Sequence, residues 1–218
     1  DQKIEHMNDD FVGSNVDPSD ADPKHLFEIA SKGKVGAFVT QYGLLTRYGM
    51  DYKDVTYLVK MNSKTNLVKS EQRDPISTEL IDFERVLELK QSSGLNIAGI
   101  GYTIYIGSEY ESEMLEEAGY LIDQAHRNGM IAVVWAHVKG LAVPKENDPH
   151  TIAGAAGVAA SLGSDFVKLN LPVGGMKTLK EAIKAAGNTK VITAGGKSKD
   201  VKSFLTEVRE LADVGTAG

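Results

Sequence analysis

Short runs of β-favouring residues recur along this chain, and amphipathic helical stretches separate most of them. That alternation leaves few folds open, because each element must bury an apolar face against its neighbours. The strand-like runs are Gly36–Thr40, Thr56–Lys60, Ile97–Gly101, Ile131–Trp135, Phe166–Leu169 and Val191–Ala194. Between Pro23 and Ser31 a helix is expected, with Asp22 as its cap, Pro23 in its first turn and Gly33 as its stop. Glu111 to Arg127 reads as a helix ending at Asn128-Gly129. Val201 to Val214 places Val201, Phe204, Leu205, Val208, Leu211 and Ala212 on one stripe. Strands alternating with helices indicate parallel βαβ units, and the last four strands recur about every 25 to 35 residues, the size of such a unit. Either a (β/α)8 barrel or a doubly wound sheet fits.

The positions of polar residues discriminate between them. Strands end in Lys60 with Asn62, Thr103 with Tyr105, Trp135 with His137, and Lys168 with Asn170, and a barrel collects its site from the ends of several strands. A dinucleotide fold needs one glycine-rich fingerprint after its first strand. Gly99-Ile100-Gly101 is the nearest candidate and fails, because Ile104 holds the third glycine position. The expectation is an α/β chain forming one (β/α)8 TIM barrel domain over residues 1–218. The chain opens at Asp1 without a methionine, and a seventh strand starts near Thr216-Ala217-Gly218, so the barrel is expected to be truncated at both ends, with part of its first strand missing.

Composition narrows the partners. The 218 residues are 42% hydrophobic and 25% charged, an ordinary globular balance with ample chain for a core. A formal net charge of -6 argues against nucleic-acid or anionic-membrane partners, so local groups must hold any anionic substrate. Without cysteine there are no disulfides, zinc-thiolate sites or thiol nucleophiles. No apolar run approaches the roughly 18 residues that span a bilayer, and no signal peptide is visible. A cytoplasmic protein is expected.

Lysine chemistry stands out. In Asp165-Phe166-Val167-Lys168-Leu169-Asn170-Leu171-Pro172, Phe166, Lys168 and Asn170 share one strand face and Val167, Leu169 and Leu171 the other. A desolvated amine adds to carbonyls, the reaction of Schiff-base enzymes; the alternative is an ammonium at a strand end that reaches solvent. Lys60, in Val59-Lys60-Met61-Asn62, is a rival with the same spacing to an asparagine, and spacing does not choose between them. Trp135 and His137 lie on one face of their strand, opposite Ala132, Val134 and Ala136, which places them toward the lumen or its mouth. An imidazole there suits proton transfer, or else anchors a loop through backbone hydrogen bonds. Asp1, Glu5 and His6 cluster at the start of the chain. The 5 histidines show no metal spacing, and no metal or cofactor is expected. Gly195 and Gly196 in Thr193-Ala194-Gly195-Gly196-Lys197 join a strand to a helix, where backbone N–H groups can approach a phosphate.

Several of these segments, in order, resemble the archaeal-type class I fructose-bisphosphate aldolases. They are Asp1-x-x-x-Glu5-His6, Gly101-Tyr102-Thr103-Ile104-Tyr105-x-Gly107-Ser108, Val134-Trp135, Phe166-Val167-Lys168 and Ala194-Gly195-Gly196-x-Ser198-Lys199. The wider family includes 2-amino-3,7-dideoxy-D-threo-hept-6-ulosonate synthase. The resemblance runs essentially from end to end and implies Lys168 as the Schiff-base lysine, with Asp1 beside it and Gln2 and His6 nearby. It further implies that Trp135 lines the sugar, that Ala194, Gly195 and Gly196 bind one phosphate, and that the protein forms a ring-like homo-oligomer. Where the family has Trp-x-Tyr-Pro-Arg-Gly, this chain has Trp135-Ala136-His137-Val138-Lys139-Gly140. His137 thus takes the place of the proton-transferring tyrosine, and Lys139 that of an arginine, as a point charge for the second phosphate. The family's Gly-Arg phosphate loop on the eighth strand lies past Gly218. The implied activity is metal-independent cleavage of fructose 1,6-bisphosphate. The alternatives are a Schiff-base lyase or transferase acting on another phosphorylated keto sugar, and a non-catalytic phosphosugar-binding barrel.

Overall fold

The structure is a computed structural model that describes residues 17–65, 74–194 and 200–218. Elements alternate along the chain: α1 (Pro23–Lys32), β1 (Phe38–Gln41), α2 (Tyr42–Tyr48), β2 (Thr56–Lys60), α3 (Phe83–Ser93), β3 (Asn96–Ile106), α4 (Glu111–Arg127), β4 (Ile131–Val138), α5 (Pro149–Ser161), β5 (Phe166–Leu169), α6 (Met176–Ala186), β6 (Lys190–Thr193) and α7 (Val201–Val214). Strand order in the sheet is chain order, β1 through β6. The pairs β1–β2, β2–β3, β4–β5 and β5–β6 are parallel. A doubly wound sheet reverses its order at a switch point, so this sequential order belongs to the barrel type. β3 and β4 continue past the expected Gly101 and Trp135 to Ile106 and Val138, which makes Tyr105 and His137 strand residues.

One compact unit holds α1, β1, α2, β2, α3 and β3 through Tyr102. Asp22 caps α1 by accepting from the Lys24 amide at 2.9 Å, Pro23 opens the helix and Gly33 closes it, as the sequence requires. The helix buries Phe27 among the rings of Phe38, Tyr48, Tyr52 and Tyr57, with centroids 5.0 to 6.1 Å away. The Tyr57 hydroxyl donates to the Tyr52 carbonyl at 2.9 Å. Burial disfavours its phenolate, and with a smaller contribution from Tyr52 its pKa is pushed up to about 12.

The second unit holds Arg73–Ile76, Thr103–Asp123 and Ile131–Gly218. Within it Asp148 caps α5 through the Thr151 amide and hydroxyl, each at 2.9 Å, and Pro149 opens the helix. α5 buries Ile152, Ala153, Ala155, Ala156 and Ala159, and these mostly small residues let it lie close against α6, which buries Leu179, Ala182 and Ala186. Asp165 fixes the start of β5: its carboxylate accepts from the Ala132 amide at 2.8 Å and its own amide donates to the Ala132 carbonyl. α7 forms over the expected residues, capped by Asp200 and ended by Gly215 at φ 101°, yet none of its residues is buried. Its apolar stripe lines a cavity, where Phe204, Val208, Leu211 and Ala212 face Leu171 and Ala194. Thr216–Gly218 is not a strand but lies alongside β6: the Ala217 amide donates to Val191 and the Thr193 amide to Gly218. Among the described residues no helix is long and apolar enough to cross a membrane.

Candidate active site

The second unit gathers a lysine, an indole, an imidazole and a phenol on adjacent strands. Parallel register sets Trp135 of β4 opposite Lys168 of β5. The Lys168 ammonium lies 5.7 Å from the centroid of the Trp135 ring, a cation–π contact. His137 stands two residues beyond Trp135 on the same face of β4, about 7 Å along the strand. The ring of Tyr105, at the end of β3, stacks on the His137 imidazole with centroids 5.8 Å apart and planes 25° from parallel. Trp135 and Tyr105 are buried, while His137 and Lys168 are half-exposed. The arrangement sets an amine and an imidazole near one another, each with an aromatic ring against one side.

β5 is buried only on its Val167 and Leu169 face; Phe166, Lys168 and Asn170 are all partly exposed. The sealed surroundings expected for Lys168 are therefore found only in part. Among the described residues the fully buried lysine is the rival, Lys60, 1% exposed in the first unit. Its Nζ donates to the Asn62 carbonyl at 2.6 Å and lies 3.3 Å from the Asn62 side-chain oxygen. The two lysines share a sequence pattern and differ in what surrounds them.

Lys139 follows β4, exposed, with its amide donating to the Ile106 carbonyl at 2.9 Å. Ala194 follows β6, and its amide donates to the Leu169 carbonyl at 2.8 Å, which ties the end of β6 to the end of β5. Asp1, Gln2, His6, Gly195 and Gly196 lie outside the described residues. Among the described residues no group of three His, Cys, Asp or Glu is placed to hold a metal ion.

Sequence reasoning saw Tyr105 as a strand-end residue without a role; its β-favouring neighbours Ile104 and Ile106 were the signal that β3 carries it to the level of His137. Nothing in the sequence around Asp74 marks it out. Its carboxylate accepts from the amides of Glu109 and Leu141, 35 and 67 residues away, and no local pattern signals such contacts.

With this geometry in place, comparison with known proteins gives a consistent answer. The model of the DeoC/LacD family aldolases matches residues 1–218. A protein of Methanocaldococcus jannaschii named fructose-bisphosphate aldolase/6-deoxy-5-ketofructose 1-phosphate synthase is 55% identical over 219 residues, covering 100% of this chain and 70% of that protein. The solved structure of a fructose-bisphosphate aldolase from Slackia heliotrinireducens superposes with a TM-score of 0.94 at 51% identity, covering 99% of this chain and 69% of that one. An archaeal fructose-1,6-bisphosphate aldolase, solved with its catalytic lysine bound to the carbinolamine intermediate, gives 0.86 at 31% identity, covering 100% and 81%. The sequential parallel sheet, the lysine at its rim and these matches together make the chain a member of the DeoC/LacD family of aldolases, in its class I, Schiff-base branch.

Proposed function

We propose that this chain cleaves and forms the C3–C4 bond of fructose 1,6-bisphosphate through a Schiff base on Lys168. The observation that carries the reading is the placement of the Lys168 amine against Trp135, with His137 one pleat further along the same face. The amine adds to the C2 ketone of the open-chain sugar, and the carbinolamine loses water to give an iminium. His137 takes the C4 hydroxyl proton, the C3–C4 bond breaks, and its electron pair moves into the iminium to give an enamine. Glyceraldehyde 3-phosphate leaves. Protonation of the enamine carbon and addition of water then release dihydroxyacetone phosphate and the free amine. Asp1 assists the loss of water, and Gln2, His6 and Asn170 bind the sugar. Lys139 holds one phosphate, and the backbone of Ala194, Gly195 and Gly196 the other.

A second reading is favoured by the double name of the 55% identical relative. Disconnecting 6-deoxy-5-ketofructose 1-phosphate at C3–C4 gives the same three-carbon phosphate donor and 2-oxopropanal. In that reading the Lys168 enamine is captured by 2-oxopropanal, and fructose 1,6-bisphosphate serves as donor. One experiment covers both. Borohydride reduction with fructose 1,6-bisphosphate, followed by peptide mapping, is expected to place a three- or six-carbon adduct on Lys168. An adduct on Lys60, or none on any lysine, defeats the mechanism. Faster consumption of the bisphosphate when 2-oxopropanal is added favours the second reading.

A further inference from the structure

Three loops of the second unit are fastened together beside the site, and one buried carboxylate holds the knot. Asp74, 8% exposed, accepts through one oxygen from the Glu109 amide at 2.8 Å and through the other from the Leu141 amide. Glu109 lies in the loop after β3 and Leu141 in the loop after β4. The next residue repeats the tie: the Ser108 hydroxyl donates to the Pro75 carbonyl at 2.7 Å. The two loops also meet backbone to backbone. A Cβ on Gly140 would lie 2.0 Å from the Gly107 carbonyl oxygen, and one on Gly107, whose φ is +94°, would lie 2.3 Å from Val143. Lys139 sits inside this knot, fixed on one side by its amide to Ile106 and on the other by Leu141 to Asp74.

A carboxylate accepting two backbone N–H groups makes short, charge-assisted bonds, and it fixes both donors in one geometry. The Lys139 side chain is exposed and long, so only its backbone can be pre-set; a wandering backbone would add to the ordering cost of gripping an anion. We propose that Asp74 is a positioning residue for substrate binding, acting through Lys139: it holds the loop after β4 so that the ammonium meets a phosphate of the sugar. This rests on the reading of Lys139 as a phosphate ligand given above.

The test is a double-variant cycle on the full chain, measured as KM and kcat for fructose 1,6-bisphosphate. Lys139→Met is expected to raise KM on the order of tenfold, the loss of one charged contact. Asp74→Asn keeps the shape but puts an N–H₂ where one amide needs an acceptor; it is expected to raise KM about three- to tenfold with kcat within about twofold. Asp74→Asn combined with Lys139→Met should be no worse in KM than Lys139→Met alone, which a merely structural role would not produce. Ser108→Ala, which loosens the same segment and leaves the carboxylate in place, is expected to give a smaller KM rise that also vanishes on top of Lys139→Met. It carries the cycle if Asp74→Asn does not fold. An Asp74 or Ser108 effect that multiplies with Lys139→Met overturns the proposal, as does an unchanged KM in both loop variants. An unchanged KM in Lys139→Met overturns the phosphate reading of Lys139 itself, and the two failures are thereby separate.

Discussion

A half-exposed imidazole stacked on a tyrosine can move a proton only if one ring nitrogen faces the reacting oxygen. The stack of His137 on Tyr105 fixes the plane of the ring, and Trp135 fixes the neighbouring Lys168, so the amine and the proposed base have separate supports. Losing the base should therefore spare the covalent step. His137→Phe keeps a ring against Tyr105 and removes both nitrogens. Its kcat for cleavage is expected to fall about 10²- to 10⁴-fold, the usual worth of a positioned general base, while borohydride still traps an adduct on Lys168. A variant that cleaves at the wild-type rate would make His137 a packing residue. One that loses trapping as well would mean that the two supports are not independent.

Among the elements, α5 matters most to the site, because it packs on β4 and β5, the strands carrying Trp135, His137 and Lys168. Its start depends on Asp148, whose carboxyl is held below the usual carboxylate range first by its hydrogen bonds with Thr151 and then by weaker attraction to His150 and Lys145. The sign follows from the lowered pKa: the folded state holds the ionised form more readily than the unfolded chain does. The contribution is present above the unfolded value near 4 and is lost as pH falls through the lower folded value. Asp148→Ala is expected to lower stability at pH 7, as N-cap removal generally does. The difference from wild type should shrink toward pH 3. Denaturant midpoints at both pH values measure it, and an equal gap at both would mean that the cap's charge plays no part. α7 is the contrast: capped as well as α5, it buries nothing and presents its stripe to a cavity.

For the molecule as a whole, a net charge of -6 sets the general field against the bisphosphate proposed as substrate, so the proposal assigns its phosphates to local groups, Lys139 and the Ala194-Gly195-Gly196 run. The iminium supplies the electron sink that a Lewis-acid metal would otherwise provide. Turnover is therefore expected to be unchanged by excess EDTA; inhibition that added zinc reverses would count against the Schiff-base reading. Much of the fold was legible beforehand. The β runs, the Asp22 cap with its Gly33 stop, the bounds of α4 and α7, and the barrel type over the doubly wound sheet follow from periodicity and turn chemistry, which act over a few residues. The pair Trp135 and His137 was legible for the same reason, since alternation along one strand fixes a shared face. The stack of Tyr105 on His137 was not, because it depends on which strand lies beside β4 and in what register. The grip of Asp74 on Glu109 and Leu141 was not either, because those contacts close over long stretches of chain. Lys60 and Lys168 show the boundary most plainly. Each lies at or next to the end of a strand, two residues before an asparagine, so strand pattern and spacing by themselves determined two equivalent candidates. Only the tertiary structure decided that one is sealed with its ammonium on the Asn62 carbonyl and the other stands half-open against Trp135, because burial is set by the side chains of neighbouring strands and not by a residue's own neighbours in sequence.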